Sequence, residues 1–107
     1  MTDWIDVAMV GELGMNACRV LDLEDVRVAV FNIDGEYFAI EDVCTHDGGE
    51  LAEGKVEAGE IICPRHGARF SIKTGAVLGP PAYEDVRTFP VRVANGKVQL
   101  GVEATQA

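Results

Sequence analysis

A chain of 107 residues and 11.5 kDa has room for one modest hydrophobic core, so a single domain over residues 1–107 is expected, and 48% hydrophobic residues is ordinary for a globular protein. Nine Lys and Arg stand against 18 Asp and Glu, a formal net charge of −9. That balance argues against nucleic acid and anionic membranes, both of which recruit basic patches, and favours a carrier that meets a positively charged partner.

In chain order, Asp3, Asp6 and Glu12 occupy the region where a secretory signal would be basic and then apolar, and the apolar runs, such as Val28–Phe31, are far too short to span a bilayer. The expected compartment is the cytoplasm. The only helix candidate is a weak turn near Met9–Leu13. Strands are expected over Val20–Leu23 and Arg27–Ile33, turning at Glu24-Asp25, and over Tyr37–Ile40 after the hairpin signal Asp34-Gly35. Lys55–Glu57 and Glu60–Cys63 flank Ala58-Gly59, and Arg69–Ile72 and Ala76–Leu78 flank Thr74-Gly75. Thr88–Val93 and Lys97–Val102 flank Asn95-Gly96, a pair suited to a type I′ turn. No segment sustains a helical period, so the fold class is all-β, an antiparallel sandwich or small barrel. The block Glu41–Pro81 is richer in Gly, Pro, Cys and His than its flanks and reads as a small subdomain, over about residues 41–81, inserted into the β scaffold.

That block holds the candidate chemistry. Cys18 stands alone, but Cys44 and Cys63 each have one of the two histidines close by: Cys44-Thr45-His46, sixteen residues, then Cys63-Pro64-Arg65-His66. In a chain without a signal sequence, such cysteines suggest metal ligands or free thiols rather than a disulfide framework. One sulfur and one imidazole from each of two turn-rich loops make a four-ligand set. A zinc ion fits it, and so does a two-iron cluster with cysteines on one iron and histidines on the other. Structural zinc sites more often group Cys with Cys and His with His, whereas a mixed pair on each loop suits a centre with two unlike ends.

The run CTHDGGEL followed by CPRHGARF resembles the Rieske [2Fe–2S] proteins, and more closely the small Rieske ferredoxins that serve bacterial aromatic ring-hydroxylating dioxygenases. The likeness covers nearly the whole chain, including a Gly79-Pro80-Pro81 loop and the terminal hairpin. It implies a Rieske-type antiparallel β-sandwich or barrel, with Cys44 and Cys63 on the inner iron and His46 and His66 on the outer one. Gly48, Gly49 and Gly67 would let backbone amides approach the cluster sulfurs, and Pro80 and Pro81 would form a stiff flap over it. It further implies an electron-transfer component rather than an enzyme, passing single electrons from an NAD(P)H-dependent flavoprotein reductase to a terminal oxygenase, most simply as a monomer.

Rieske proteins of respiratory complexes carry an extra cysteine in each loop, where this chain has Gly49 and Arg65, and hydroxyl side chains where it has Ala68 and Phe70. Without those hydroxyl donors the added electron is less stabilised, so the low-potential end of the Rieske range is expected. Charge is also uneven. Residues 41–60 carry a net −6 and residues 61–75 a net +3, a split suited to orienting the cluster tip, with Asp47, Glu50 and Arg65 on a docking rim. Cys18 reads as a buried inert thiol, and Trp4, Phe31, Tyr37, Phe38 and Phe89 as core or edge packing. Two alternatives remain open at this stage: a Rieske-like small subunit of a larger reductase such as nitrite reductase, and a zinc-stapled interaction domain.

Overall fold

The computed structural model describes residues 2–23, 26–45, 49–64, 67–80, 82 and 84–103. Eleven strands in these residues form three antiparallel sheets. Strands β1 (Thr2–Met9), β11 (Lys97–Glu103) and β10 (Val91–Ala94) make the first, in that order. The second runs β2 (Cys18–Asp22), β3 (Arg27–Ile33), β4 (Glu36–Glu41), β9 (Thr88–Phe89). The third, β5 (Lys55–Glu57), β6 (Glu60–Ile62), β7 (Arg69–Ser71) and β8 (Val77–Gly79), is built entirely from the Cys- and Gly-rich block.

The second sheet is the middle layer. Its central strand β3 is nearly apolar throughout, and its alternating side chains feed two separate cores. Val28 and Val30, with Ala39 and Phe89 from β4 and β9, pack against Val7, Val98 and Leu100 of the first sheet. Ala29, Phe31 and Ile33, with Ile40, pack on the opposite face against Ile61, Phe70 and Ile72 from the third sheet and its margin. Phe31 and Phe70 are wholly buried, each contributing roughly 1.5–3 kcal/mol of apolar transfer. An all-β antiparallel fold is therefore present, with the third sheet packed on one face of the second.

Local turn chemistry sets several registers. Asp34 and Gly35 (φ 53° and 88°) and Asn95 and Gly96 (φ 53° and 74°) both have the paired left-handed dihedrals of a type I′ turn. The Ala58-Gly59 hairpin uses the same geometry, with Ala58 at φ 53°.

Three expectations are corrected. No strand was expected over Thr2–Met9, yet β1 pairs along its length with β11, with a bulge between Asp6 and Ala8. The bulge turns both Val7 and Ala8 inward and so breaks the alternation that would mark a strand. The weak turn near Met9–Leu13, the only helix candidate, is a turn without helical structure, in which Glu12 N donates to Met9 O (3.0 Å) and its own carboxylate accepts from Met9 N (2.6 Å). The single strand expected over Thr88–Val93 is two strands in different sheets, separated by Pro90. Proline has no N–H for a ladder, and here it is the point where the chain leaves β4 for β11.

Candidate metal centre

Two strand ends deliver the cysteines. Cys44 lies three residues beyond β4 in the middle sheet, and Cys63 directly follows β6 in the third. Both are almost fully enclosed, at 1% and 2% exposure, and both belong to the core shared by those two sheets. No disulfide involves Cys18, Cys44 or Cys63.

The two loops are closed alike. Cys44 N donates to Gly49 O, and Cys63 N to Ala68 O, each at 2.7 Å and each spanning five residues. In the second loop Gly67, at φ 79°, also donates its N–H to Cys63 O (3.0 Å). A built Cβ on Gly67 meets nothing within 4 Å, so among the described residues it is the left-handed turn that calls for glycine there. His46 and His66 fall inside these two closed spans but, with Asp47, Gly48 and Arg65, lie outside the described residues, as does Pro81 of the expected flap. Among the described residues no three His, Cys, Asp or Glu side chains converge as metal ligands. The two buried sulfurs are therefore half of the donor set expected from the sequence.

That half fits a Rieske [2Fe–2S] cluster. Two soft sulfur donors from different sheets are brought into one dry core by loops of matched closure, with one histidine in each loop, which is the donor chemistry of a centre with a sulfur end and an imidazole end. Ala68 and Phe70 are fully buried beside the second loop and bring no hydroxyl donor.

A side chain that stands in the sequence as one of the acids of residues 41–60 anchors the first loop. Asp42, 6% exposed, accepts hydrogen bonds at Oδ1 from Leu51 N and Ala52 N, both at 2.7 Å, while its own N–H donates to Arg27 O at 2.8 Å. The loop is thus tied at its base, with Cys44 inside the tie. Gly54 was also passed over: its built Cβ collides with Ile62 O and lies 3.0 Å from Leu51 O, so the turn after the first loop presses directly on the residue preceding Cys63. Neither role carries a local sequence signal, because both depend on atoms across a loop. Thr45 adds a link to the segment between β8 and β9, its hydroxyl donating to Glu84 O at 2.6 Å.

The surface charges are more paired than their sequence order suggests. Arg27 joins Asp22 and Glu50, and Arg69 joins Glu60 and Glu57 at 3.2 and 3.5 Å. Glu50, expected on the docking rim, is exposed but tied to Arg27; Asp47 and Arg65 lie outside the described residues. Cys18 donates weakly to Ala52 O (3.7 Å), and burial, then the nearby Asp42 charge, push its thiol above the usual range, in keeping with an inert thiol. Trp4 stacks under the Arg92 guanidinium at 4.2 Å, a surface packing role.

Comparison with known proteins agrees with this centre. The model of the Rieske [2Fe-2S] domain family matches residues 3–90. The ferredoxin component of the naphthalene 1,2-dioxygenase/salicylate 5-hydroxylase systems of Ralstonia sp is 32% identical over 94% of this chain and 97% of that protein. Among solved structures, Sphingomonas yanoikuyae B1 ferredoxin superposes with a TM-score of 0.86 at 29% identity, covering 94% of this chain and 100% of that one. A chain in the complex of reduced oxygenase and oxidized ferredoxin in carbazole 1,9a-dioxygenase reaches 0.89 at 28% identity, covering 97% of each. Among the described residues no helix is long and apolar enough to cross a membrane. With a family model running from β1 to the sheet switch at Pro90 and two buried cysteines in matched loops, the chain belongs to the Rieske [2Fe–2S] domain family, as a ferredoxin-type protein that carries electrons rather than catalysing a reaction itself.

Proposed function

We propose that Cys44, His46, Cys63 and His66 hold the cluster, the cysteine sulfurs at its buried end and the histidine nitrogens at its outer end. In this reading the chain relays single electrons from an NAD(P)H-dependent flavoprotein reductase to a terminal oxygenase that hydroxylates an aromatic ring. The observation that carries it is the pair of buried cysteines, from two sheets, with the same five-residue backbone closure around each histidine position. The cluster, when bound, takes up and gives back one electron at a time. The protein's own part is to bury the sulfur ligands and keep water from them with Leu51, Ile61, Phe70 and Ile72. The net charge of −9 suits brief docking on positively charged partner surfaces, with rates that fall as salt rises. Residues 41–81 act as the cluster-carrying subdomain of a single domain, which works as a cytoplasmic monomer.

Visible absorption, iron and sulfide content, and electron paramagnetic resonance after dithionite reduction test the ligand set. The expected result is a brown protein with about two irons and two sulfides per chain and a rhombic signal of lower average g than all-cysteine ferredoxins. Cys44→Ser, His46→Ala, Cys63→Ser and His66→Ala should each lose that signal. A colourless protein with stoichiometric zinc would overturn the reading. The route is tested by stopped-flow reduction with a dioxygenase-system flavoprotein reductase and NADH, then reoxidation by the matching oxygenase; failure of both steps with a loaded cluster would refute the assigned partners.

A further inference from the structure

Asp42 is the only buried charged side chain among the described residues, and it sits two positions from Cys44. We propose that it is a positioning residue for the centre: its carboxylate closes the first ligand loop, and its fixed negative charge holds the reduction potential down. The proposal rests on the ligand reading above.

The geometry separates Asp42 from the other acids of the loop region. Its Oδ1 takes two backbone N–H groups at 2.7 Å, from residues nine and ten positions further on, so it joins the two ends of the segment that contains Cys44. Such donors are uncharged dipoles, so they hold the carboxylate in place without neutralising its charge. Among the described residues no Lys or Arg forms an ion pair with it. The cation whose backbone it touches, Arg27, spends its guanidinium on the exposed Asp22 and Glu50. The charge is also felt by its surroundings, since it helps push the Cys18 thiol upward, after burial. Exposed acids such as Glu57 act through water and salt and have little leverage on a buried centre, whereas an enclosed charge is screened much less.

Reduction adds one negative charge to the centre, and an anion held nearby opposes it. Two chain positions put the Cα atoms of Asp42 and Cys44 within about 7 Å. For charges about 10 Å apart in an effective dielectric near 20, the repulsion changes the reduced-to-oxidised ratio about tenfold. A tenfold change corresponds to about 59 mV for a one-electron couple.

Asp42→Asn separates the two roles, because the amide oxygen can still accept from Leu51 and Ala52 while the charge is gone. The experiment is protein-film voltammetry of the loaded wild type, Asp42→Asn and Asp42→Glu, with iron, sulfide, paramagnetic resonance and urea denaturation measured on the same samples. Asp42→Asn should shift the midpoint upward by about a tenfold change in ratio, with an unaltered rhombic signal. Asp42→Glu, which keeps the charge on a longer arm, should stay close to the wild-type midpoint even if it is less stable. An unshifted midpoint in fully loaded Asp42→Asn would overturn the proposal. Should Asp42→Asn fail to load, an Asp42→Glu midpoint raised by a comparable tenfold change would overturn it instead. A wild type without iron, sulfide or rhombic signal would refute the ligand reading, a failure distinct from a loaded cluster with an unmoved potential.

Discussion

Substituting Gly54 by alanine puts a methyl group where the structure has only backbone. The new Cβ would collide with the carbonyl oxygen of Ile62 and stand 3.0 Å from both the Ile62 carbonyl carbon and Leu51 O. None of these atoms belongs to a side chain that could rotate away. Leu51 O also accepts the Gly54 N–H at 2.8 Å, and Ile62 is locked opposite Lys55 in the β5–β6 register, so relief requires moving the loop base or the strand that leads into Cys63. Overpacking of this kind costs about 1–3 kcal/mol, against about 0.4–1 kcal/mol recovered from a less flexible unfolded chain. A net loss of about 1.3 kcal/mol is expected, which for a domain of this size lowers Tm by roughly 5 °C or more. Urea denaturation should show a lower midpoint with an unchanged slope, and cluster occupancy after purification should fall because Cys63 moves with Ile62. Gly14→Ala is the matched control: its Cβ meets nothing within 4 Å, so it should be neutral or slightly stabilising. A Gly54→Ala protein within about 0.5 kcal/mol of wild type, or one no less stable than Gly14→Ala, would refute the packing argument.

Ala58 occupies the left-handed first position of a type I′ turn, at φ 53°, where Asn is better tolerated, so Ala58→Asn should raise stability by roughly 0.5–1 kcal/mol in the same urea assay. Asp6 accepts hydrogen bonds from Gln99 (2.8 Å) and Lys97 (3.4 Å), which hold its carboxyl below the ordinary value. A depressed native value contributes stability above the unfolded value that is lost as pH falls through the native one; Asp6→Asn should therefore be less stable than wild type near neutrality, with the gap closing below about pH 3.9 in a pH series of melts. Ala68→Ser with Phe70→Tyr should raise the reduction potential, since both sites are fully buried beside the Cys63 loop and stand where respiratory Rieske proteins carry their hydroxyl donors. An unchanged midpoint in the loaded double variant would remove the missing-donor account of a low potential.

What could be read directly was local. The turns at Asp34-Gly35, Ala58-Gly59 and Asn95-Gly96 were legible because turn dihedrals are set by two adjacent residues, and the hairpin registers follow from them. The two Cys/His pairs were legible for the same reason: their spacing lies within single loops, and the structure adds that Cys44 and Cys63 are both buried. Tertiary structure decided the rest. Strand β1 finds its partner some ninety residues away, and its bulge hides the alternation that would have announced it. Pro90 was visible, but only the presence of two sheets makes it a crossing point from β4 to β11. Asp42 looks like any acid in an acidic run until Leu51 and Ala52 turn their amides onto it, and Gly54 looks like any loop glycine until Ile62 arrives against it. Sequence alone thus specifies turns and candidate ligands through contacts between near neighbours, whereas the burial of a charge and the closeness of two backbones exist only once distant segments have packed together.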